Sequence, residues 1–436
     1  MRGKIIMPCA TGKSLTGFWI ADALPTKTIL VTVPSLALIE QTLPDWLREF
    51  TALGHTEGLR WLCVCSDETV TKDADSVIMH TQDLPYPCTT TVEEIVTWLN
   101  ATETAKKRLI FTTYQSGRAL AEAMRTAGTE IDLAIMDEAH KTVGDKKRLF
   151  SHLLFDDNLT IRRRVFMTAT ERRFVSDNDA VVSMDDPAIY GDTVELLSFR
   201  AALDQDPPII ADYKIITMVI FQAEIEALVA ENRYLRPETA RWDEEVEAQM
   251  LASLIALRKA MKKYPIRHAI SFHSSIARAK AFRDFNDIYT QAMLSAGALD
   301  TFHVTGAMPA GLRKGMMVEF ATAQRALVTN ARCLMEGVDV PNIDCVLFAD
   351  PKQSTIDIVQ AVGRALRPAE HKPCAYVLVP VILRDATGDA FVESKGFAAV
   401  LTVLRALAAN DERIIAWFRA RNAGRMSKGQ AAVSLA

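Results

Sequence analysis

The sequence predicts an α/β fold of two tandem domains, each with a parallel β-sheet flanked by helices. Three observations support this fold: short apolar runs alternate with longer amphipathic stretches, the runs are continuous, and the rhythm restarts in the second half. Continuous apolar runs are typical of strands buried on both faces, as in parallel sheets covered by helices. A length of 436 residues is enough for more than one hydrophobic core.

The first half of the chain supplies one strand–helix series. Its predicted strands are Lys4–Pro8, Thr28–Val33, Arg108–Thr112, Ile131–Met136 and Arg164–Met167, and its predicted helices are Leu15–Leu24, Leu36–Phe50 and Gln115–Ala127. Alternation of strands and helices predicts parallel strands joined by helical crossovers.

The second half repeats the pattern. Its predicted strands are Ile266–Phe272, Thr301–Val304, Arg325–Thr329, Cys345–Ala349 and Ala375–Pro380, with predicted helices at Ala277–Ala296, Leu312–Ala321 and Ile356–Leu366. We therefore predict domains at residues 1–190 and 191–385, with a helical insertion at about 223–263 and a helical C-terminal extension at 386–436.

Composition and charge exclude several classes of protein. The net charge of −4 excludes a wholly basic nucleic-acid coat, although a local basic groove remains compatible with it. The seven cysteines are scattered and form no C-x-x-C pair, which disfavours a zinc ribbon or a disulfide framework. No uncharged apolar run reaches the roughly 18 residues of a membrane span, and the N-terminus does not resemble a signal peptide. We expect a cytoplasmic protein with no membrane partner.

A candidate phosphate site lies between the first predicted strand and helix, in the sequence MPCATGKS from Met7 to Ser14. This is the context of a P-loop, in which backbone amides and a helix N-terminus bind phosphates, a lysine reaches the β and γ oxygens and a hydroxyl holds Mg²⁺. The residues in those positions are Ala10, Thr11, Gly12, Lys13 and Ser14. Ala10 stands where a glycine is usual, and it is costly there if its φ is positive. Few residues precede the loop, so we expect a shortened chain or relaxed recognition of the adenine base.

A pair of carboxylates follows the predicted strand Ile131–Met136. Carboxyl ends of parallel strands face the ligand side of a sheet, so Asp137 could bind the Mg²⁺ that Ser14 also holds. Glu138 could orient or deprotonate an attacking water. The two motifs together predict a site for ATP and Mg²⁺.

The ordered motifs CATGKS, TVPSL, TTYQS, DEAH, TAT, SFHSS, NARCLMEGVDVP and QAVGRALR resemble those of superfamily 2 helicases and translocases. They are similar to the DEAH-bearing group that includes restriction-enzyme motor subunits, over roughly residues 3–380. The resemblance implies two RecA-like domains with ATP bound between them, so that binding and hydrolysis close and reopen a cleft.

The resemblance also implies roles that spacing alone does not. His140 and Thr168-Ala169-Thr170 would couple the nucleotide site to the neighbouring domain. Gln360, Arg364 and Arg367 lie in the sequence that resembles the arginine-finger motif, where a guanidinium suits developing phosphoryl charge. Gly337 and Asp339 would sense nucleotide across the cleft. The implied nucleic-acid contacts are Pro34, Ser35, Thr113, Tyr114, Gln115, Ser274, Thr305, Gly306 and Thr329.

We therefore expect an Mg²⁺-dependent, nucleic-acid-stimulated ATPase that acts as a DNA helicase or double-stranded DNA translocase. One alternative is an RNA helicase, and another is a nucleotide-gated clamp that binds nucleic acid with little turnover. Retention of Glu138 and Arg364 argues against the clamp. No second chemistry is predicted in this chain, and a nuclease or methyltransferase partner could reside on another chain.

Overall fold

The computed structural model describes residues 1–66, 81, 84, 86–146, 148–174, 181–231, 244–292, 298–306, 308–330, 342–350, 354–369, 372, 374–383, 395–422 and 433–435. The chain divides into two compact units, of which the first extends to Leu197 and the second begins at Ser198. Each unit contains one large sheet whose strands pair in parallel. The predicted α/β fold class with two parallel-sheet domains is therefore confirmed.

The first unit alternates strands with helices. Its strands are β1 (Arg2–Ile6), β2 (Thr28–Val33), β3 (Leu59–Val64), β4 (Cys88–Thr89), β5 (Lys107–Thr113), β6 (Ile131–Met136), β7 (Gly144–Asp145), β8 (Ile161–Thr168), β9 (Val181–Val182) and β10 (Asp192–Leu196). Its helices are α1 (Lys13–Ala23), α2 (Leu36–Ala52), α3 (Val92–Ala101), α4 (Gly117–Thr126) and α5 (Pro187–Tyr190), with 3₁₀ turns at Ala139–Thr142 and Leu149–Leu154.

The first sheet has the order β10-β1-β8-β6-β2-β5-β3-β4. Because its strands are parallel, their carboxyl ends meet along one side. We call this side the first edge; it comprises the loops at residues 7–12, 34–35, 114–116, 137–138 and 169–171. β2 is buried along its whole length, as its uninterrupted run of apolar residues and threonine predicts.

β10 lies beyond the boundary predicted at residue 190, yet it pairs with β1 and completes the first sheet. The turn into it needs Gly191, whose φ is +73° and whose added Cβ would lie 2.1 Å from the carbonyl oxygen of Arg2. Only glycine adopts this conformation so close to another backbone without strain.

The second unit has the same architecture. Its strands are β11 (Tyr213–Phe221), β12 (His268–Phe272), β13 (Asp300–His303), β14 (Ala326–Asn330), β15 (Cys345–Phe348), β16 (Ala375–Leu383) and β17 (Val433–Leu435), in the order β13-β14-β12-β15-β16-β11-β17. Its helices are α6 (Phe199–Leu203), α7 (Gln222–Glu231), α8 (Glu244–Lys263), α9 (Ile276–Ala292), α10 (Ala310–Thr322), α11 (Thr355–Ala365), α12 (Lys395–Ala408) and α13 (Glu412–Asn422). We call its carboxyl side, with the loops at 273–275, 304–306 and 349–350, the second edge.

The segment predicted as a helical insertion, 223–263, forms α7 and α8. α8 packs against β11 and β16, and residues such as Leu254 and Leu257 are buried in the main core of the second unit. In the predicted C-terminal extension, α12 packs against α11 and β16. None of the helices in the described part of the chain is both long enough and apolar enough to cross a membrane.

Candidate nucleotide site

The loop between β1 and α1 is a tight turn that leads directly into the N-terminus of a helix. Gly12 has a φ of +83° and leads directly into Lys13 and Ser14, the first residues of α1. The hydroxyl of Thr11 donates to the carbonyl of Pro8 over 2.7 Å and closes the loop on itself. Ala10 has a φ of +68°, which is the costly case for alanine. The helix N-terminus thus lies at the first edge, where its partial positive charge favours an anion.

Lys13 and Ser14 are held in place by the surrounding backbone. The ammonium of Lys13 lies 3.4 Å from the carbonyl oxygen of Pro8, folded back over the loop. The buried Trp46 donates its indole N–H to the carbonyl of Ser14 over 3.2 Å, which fixes the first turn of α1 to α2. The Oγ of Ser14 is buried and has no hydrogen-bond partner among the described residues. An unpaired buried hydroxyl is costly, so this atom fits a ligand such as Mg²⁺.

The carboxylate pair lies at the end of β6 on the same edge. The amide of Asp137 donates to the carbonyl of Thr32 in β2 over 2.9 Å, and the hydroxyl of Tyr114 donates to the Asp137 carbonyl over 2.7 Å. Glu138 has a left-handed conformation with a φ of +48°, and its amide donates to Oδ1 of Asp137. The Oε2 atom of Glu138 is buried and forms no well-aligned hydrogen bond among the described residues, although Nδ1 of His140 lies 3.3 Å from it. Such backbone strain at a buried carboxylate is typical of functional sites.

The two carboxyl groups have opposite pKa shifts. Burial raises the pKa of Asp137 to about 6, the charge of Glu138 adds to the rise, and the Lys13 ammonium counteracts it. Burial also disfavours the charged form of Glu138, but adjacent His140 and the charge of Lys13 outweigh burial and lower its pKa to about 2. Lys13 therefore acts electrostatically on both acids, and Glu138 is the one held ionised.

His140 connects this pair to the end of β8. Its Nδ1 lies 3.1 Å from Oγ1 of Thr168 and 3.3 Å from Oε2 of Glu138. The Thr168 hydroxyl donates to the carbonyl of Thr170, so its oxygen accepts from His140. The amide of Thr170 also donates to Thr168, and Ala169 between them is buried. The predicted coupling residues thus form one chain of contacts that begins at Glu138.

Sequence reasoning missed Lys4, a buried lysine in the middle of strand β1. Its ammonium donates to Oε1 of Glu171 over 2.5 Å and to the carbonyl of Met184 over 2.7 Å. Glu171 follows the Thr168–Thr170 motif directly and also pairs with Arg173. A lysine at the start of the predicted strand Lys4–Pro8, which is otherwise apolar, was the available signal, because a buried charge needs a partner.

The implied nucleic-acid contacts of the first unit lie at the first edge, but they differ in burial and in whether their polar atoms already have partners. Ser35 precedes α2 and follows Pro34, and its Oγ is buried without a described partner. The hydroxyl of Thr113 donates to Oγ of Ser116. Tyr114 is fully buried and stacks on Phe150, so its side chain supports Asp137. The Oε1 atom of Gln115 is buried and unpaired among the described residues.

The second unit places its candidates at the second edge or on α11. Thr329 is buried at the end of β14, and its Oγ1 lies 2.9 Å from Nδ1 of His303. Thr305 and Gly306 follow β13, and Ser274 follows β12. On α11, Gln360 is buried, while Arg364 and Arg367 are half-buried at and just beyond its end. Gly337 and Asp339 lie outside the described residues.

Comparisons with known proteins agree with this architecture. Residues 1–173 match the family model of the type III restriction enzyme res subunit, and residues 249–369 match that of the helicase conserved C-terminal domain. The structure of the type ISP restriction-modification enzyme LlaBIII bound to DNA matches all of this chain, with 26% identity and a TM-score of 0.83. These matches support a superfamily 2 helicase that is related to restriction-enzyme motor subunits.

Other relatives of this helicase chain are longer than the chain itself. A probable helicase of African swine fever virus (the Pretoriuskop tick isolate from South Africa) is 26% identical over 417 residues, which are 94% of this chain and 42% of the viral protein. A nuclease-deletion mutant of the type ISP enzyme LlaGI, in complex with a DNA substrate mimic, is 25% identical with a TM-score of 0.65. The chain covers 30% of the LlaBIII chain and 28% of the LlaGI chain.

Proposed function

We propose that this chain is an Mg²⁺-dependent ATPase that couples hydrolysis to movement along DNA or to its unwinding. The observation that carries this proposal is the first edge, where the P-loop and the acid pair lie together. Of the buried atoms at that edge, Oγ of Ser14 has no hydrogen-bond partner among the described residues, and Oε2 of Glu138 lies 3.3 Å from Nδ1 of His140 without a well-formed hydrogen bond. The cost of leaving such atoms unpaired is offset when a ligand binds them.

Each residue of this edge would have a separate role in binding or hydrolysing ATP. Lys13 and the amides at the start of α1 would bind the phosphates. Ser14 and Asp137 would hold Mg²⁺, which supplies positive charge against the phosphate oxygens. Glu138 is held ionised and would accept a proton from, or orient, the attacking water. His140 and Thr168 would pass a change at Glu138 to the end of β8.

Arg364 and Arg367 would complete the reaction from the second unit. A guanidinium has five donors in a rigid fork and stays charged, so it suits the charge that develops on the transferred phosphoryl group. Gln360, Gly337 and Asp339 would assist in the same closed state, as the resemblance of their motifs implies.

DNA is the polymer that we favour, and duplex DNA in particular. The support is similarity to two type ISP restriction-modification enzymes, one solved bound to DNA and one with a DNA substrate mimic. Because those chains are much longer than this one, a nuclease or methyltransferase could act beside this motor from another chain. RNA remains the second candidate polymer, since the motif set occurs in helicases of both kinds.

The test is ATP turnover with and without duplex DNA for the unaltered chain and for Lys13→Ala. We expect DNA to stimulate ATP turnover by the unaltered chain. Lys13→Ala should lower turnover by about 100-fold or more, since it removes the positive charge that would contact the reacting phosphates. Lys106→Ala, at an exposed lysine paired with Glu57, is the matched control and should behave as the unaltered chain. Unchanged turnover in Lys13→Ala would contradict the proposal. Stronger stimulation by RNA would select the RNA helicase, and DNA binding with negligible phosphate release would select the clamp.

A further inference from the structure

A second polar cluster, made of Ser274, Arg278 and Asp350, lies at the second edge. β12 and β15 are neighbouring parallel strands, with Phe272 paired to Phe348. The residues two positions beyond these strands, Ser274 and Asp350, are therefore brought side by side. Arg278 lies one turn later, in the first turn of α9.

Asp350 binds both of its neighbours at once. Its Oδ2 accepts from the amide of Ser274 over 2.8 Å and from the Ser274 hydroxyl over 2.9 Å. Its Oδ1 accepts from Nη1 of Arg278 over 2.8 Å. The carboxyl side chain is only 6% exposed, whereas that of Arg278 is 28% exposed. Asp350 is thus a buried anchor that holds an accessible guanidinium in one orientation.

This geometry assigns the donors of the cluster. An ionised carboxylate only accepts, so the hydroxyl proton of Ser274 is directed to Asp350. The exposed side of the Ser274 hydroxyl consequently offers lone pairs, which do not suit a phosphate oxygen. The guanidinium of Arg278 still has N–H groups to donate, because its one hydrogen bond among the described residues is that from Nη1 to Asp350.

The position of Arg278 in the first turn of α9 is unfavourable for a cation, and the Asp350 carboxylate offsets part of that cost. The first turn of a helix carries partial positive charge, which repels a cation and attracts an anion. The amide of Arg278 is capped by Oγ of Ser275, so the helix begins at a fixed point beside the guanidinium. Asp350 neutralises part of the charge but is itself buried, and the exposed side of the cluster remains a donor surface.

We propose that Arg278 donates to a backbone phosphate of the bound DNA and that Asp350 is the residue that positions it. The implied contact at this edge therefore moves from the Ser274 hydroxyl to the guanidinium four residues later. This inference rests on the proposed function, because it assumes that a DNA strand passes along the second edge. Contact with a phosphate, and not with a base, makes it independent of sequence.

The experiment is binding of a fluorescein-labelled DNA duplex, followed by anisotropy over a range of salt concentrations, with Arg278→Gln, Arg278→Lys and Ser274→Ala. Arg278→Gln keeps an amide that can donate to Asp350 but removes the charge. We expect it to weaken binding about 10-fold at low salt and to make the slope of log K against log salt shallower by about 0.9. Arg278→Lys should retain the slope, and Ser274→Ala should weaken binding less than Arg278→Gln.

Arg283→Gln is the matched control, since Arg283 lies on the same helix, is 30% exposed and pairs with Asp284. It should bind DNA as the unaltered chain does. Thermal unfolding of each variant separates a folding defect from a lost contact, because a purely structural role for Arg278 would not change the salt slope.

Two results overturn the inference while leaving the proposed function intact: Arg278→Gln that binds DNA with unchanged affinity and slope, or Ser274→Ala that weakens binding as much as Arg278→Gln. A labelled RNA duplex is run in parallel, and binding of RNA alone would overturn the DNA assignment. If the unaltered chain binds no duplex DNA at all, both this inference and the proposed function fail.

Discussion

The first and second edges occupy the same side of their sheets, but they treat their buried polar atoms differently. At the first edge, Oγ of Ser14, Oγ of Ser35 and Oε1 of Gln115 are buried without hydrogen-bond partners among the described residues. At the second edge, both oxygens of Asp350 are bound, and Thr329 contacts His303. Unpaired buried atoms cost free energy, so the first edge fits a ligand that would pair them. Asp350 and Thr329 therefore already have partners among the described residues, so the second edge fits a preformed docking surface.

The largest expected effect tests whether a residue of the second unit acts on the ligand of the first edge. Arg364→Ala should lower kcat for ATP by about 1000-fold, the range found for arginine fingers, while ATP binding changes little. Steady-state turnover and equilibrium binding of ATP measure the two quantities separately. Arg405→Ala, at an exposed arginine of α12, is the control. A loss of affinity with unchanged kcat would mean that Arg364 does not act on transition-state charge.

The pH dependence of the free energy of unfolding tests whether His303, at the second edge, is buried in its neutral form. Burial, followed by the charge of Arg283, lowers the pKa of His303 to about 4. An unfolded histidine titrates near 6.5, so between these values the unfolded chain binds a proton that the folded chain does not. The stability contribution is present above pH 6.5 and is lost as the pH falls towards 4, by up to about 1.4 kcal/mol per pH unit.

His303→Gln should flatten that slope while it keeps a group that can contact Thr329. Urea unfolding at several pH values, followed by hydrogen exchange of the second unit, measures the effect. His55→Gln, at an exposed histidine of the first unit, is the control. An equally steep slope in His303→Gln would show that this buried ring does not cause the loss.

Tyr114→Phe distinguishes two roles for a residue of the first edge. The buried hydroxyl supports the Asp137 carbonyl, so its removal should cost about 1 kcal/mol of stability and reduce ATP turnover several-fold, with DNA affinity unchanged. Tyr190→Phe, which removes a buried hydroxyl bonded to Thr142, should cost similar stability and leave turnover intact. If Tyr114→Phe instead bound DNA more weakly, the hydroxyl would contact nucleic acid, as the resemblance of its motif implies.

The smallest expected effect concerns strain in the loop of the first edge. Ala10 has a positive φ, which costs alanine about 1 kcal/mol relative to glycine. Ala10→Gly should therefore raise the free energy of unfolding by about 0.5 kcal/mol, because part of the relief is lost to the greater freedom of unfolded glycine. Calorimetry measures this change in the free energy of unfolding. Ala52→Gly at the end of α2 is the control and should destabilise the protein. Destabilisation by Ala10→Gly would show that the loop does not strain its alanine.

The fold was largely predictable from the sequence because its central strands are continuous apolar runs. β2 and β6 were predicted with the bounds that the structure has. β10 was not predicted, since all of its residues are exposed and its extended state depends on pairing with β1. β11 was also missed, although it pairs along its whole length with β16.

The site residues could be predicted only where they belong to a recognisable sequence motif. Lys13, Ser14, Asp137 and Glu138 lie at the first edge because their motifs follow strands whose ends meet. The pairs Lys4–Glu171 and Arg278–Asp350 could not be predicted, since their members are 167 and 72 residues apart and only the sheet order brings them together. Spacing likewise did not show that Tyr114 is buried beneath Asp137.

The central claim is that the first edge binds and hydrolyses ATP, and Glu138→Gln tests it most directly. The amide preserves the shape of the site but cannot accept a proton, so we expect ATP to bind the variant at least as tightly as the unaltered chain. Single-turnover hydrolysis with saturating enzyme should then slow by about 100-fold or more. Hydrolysis at the unaltered rate, with ATP bound, would contradict the account.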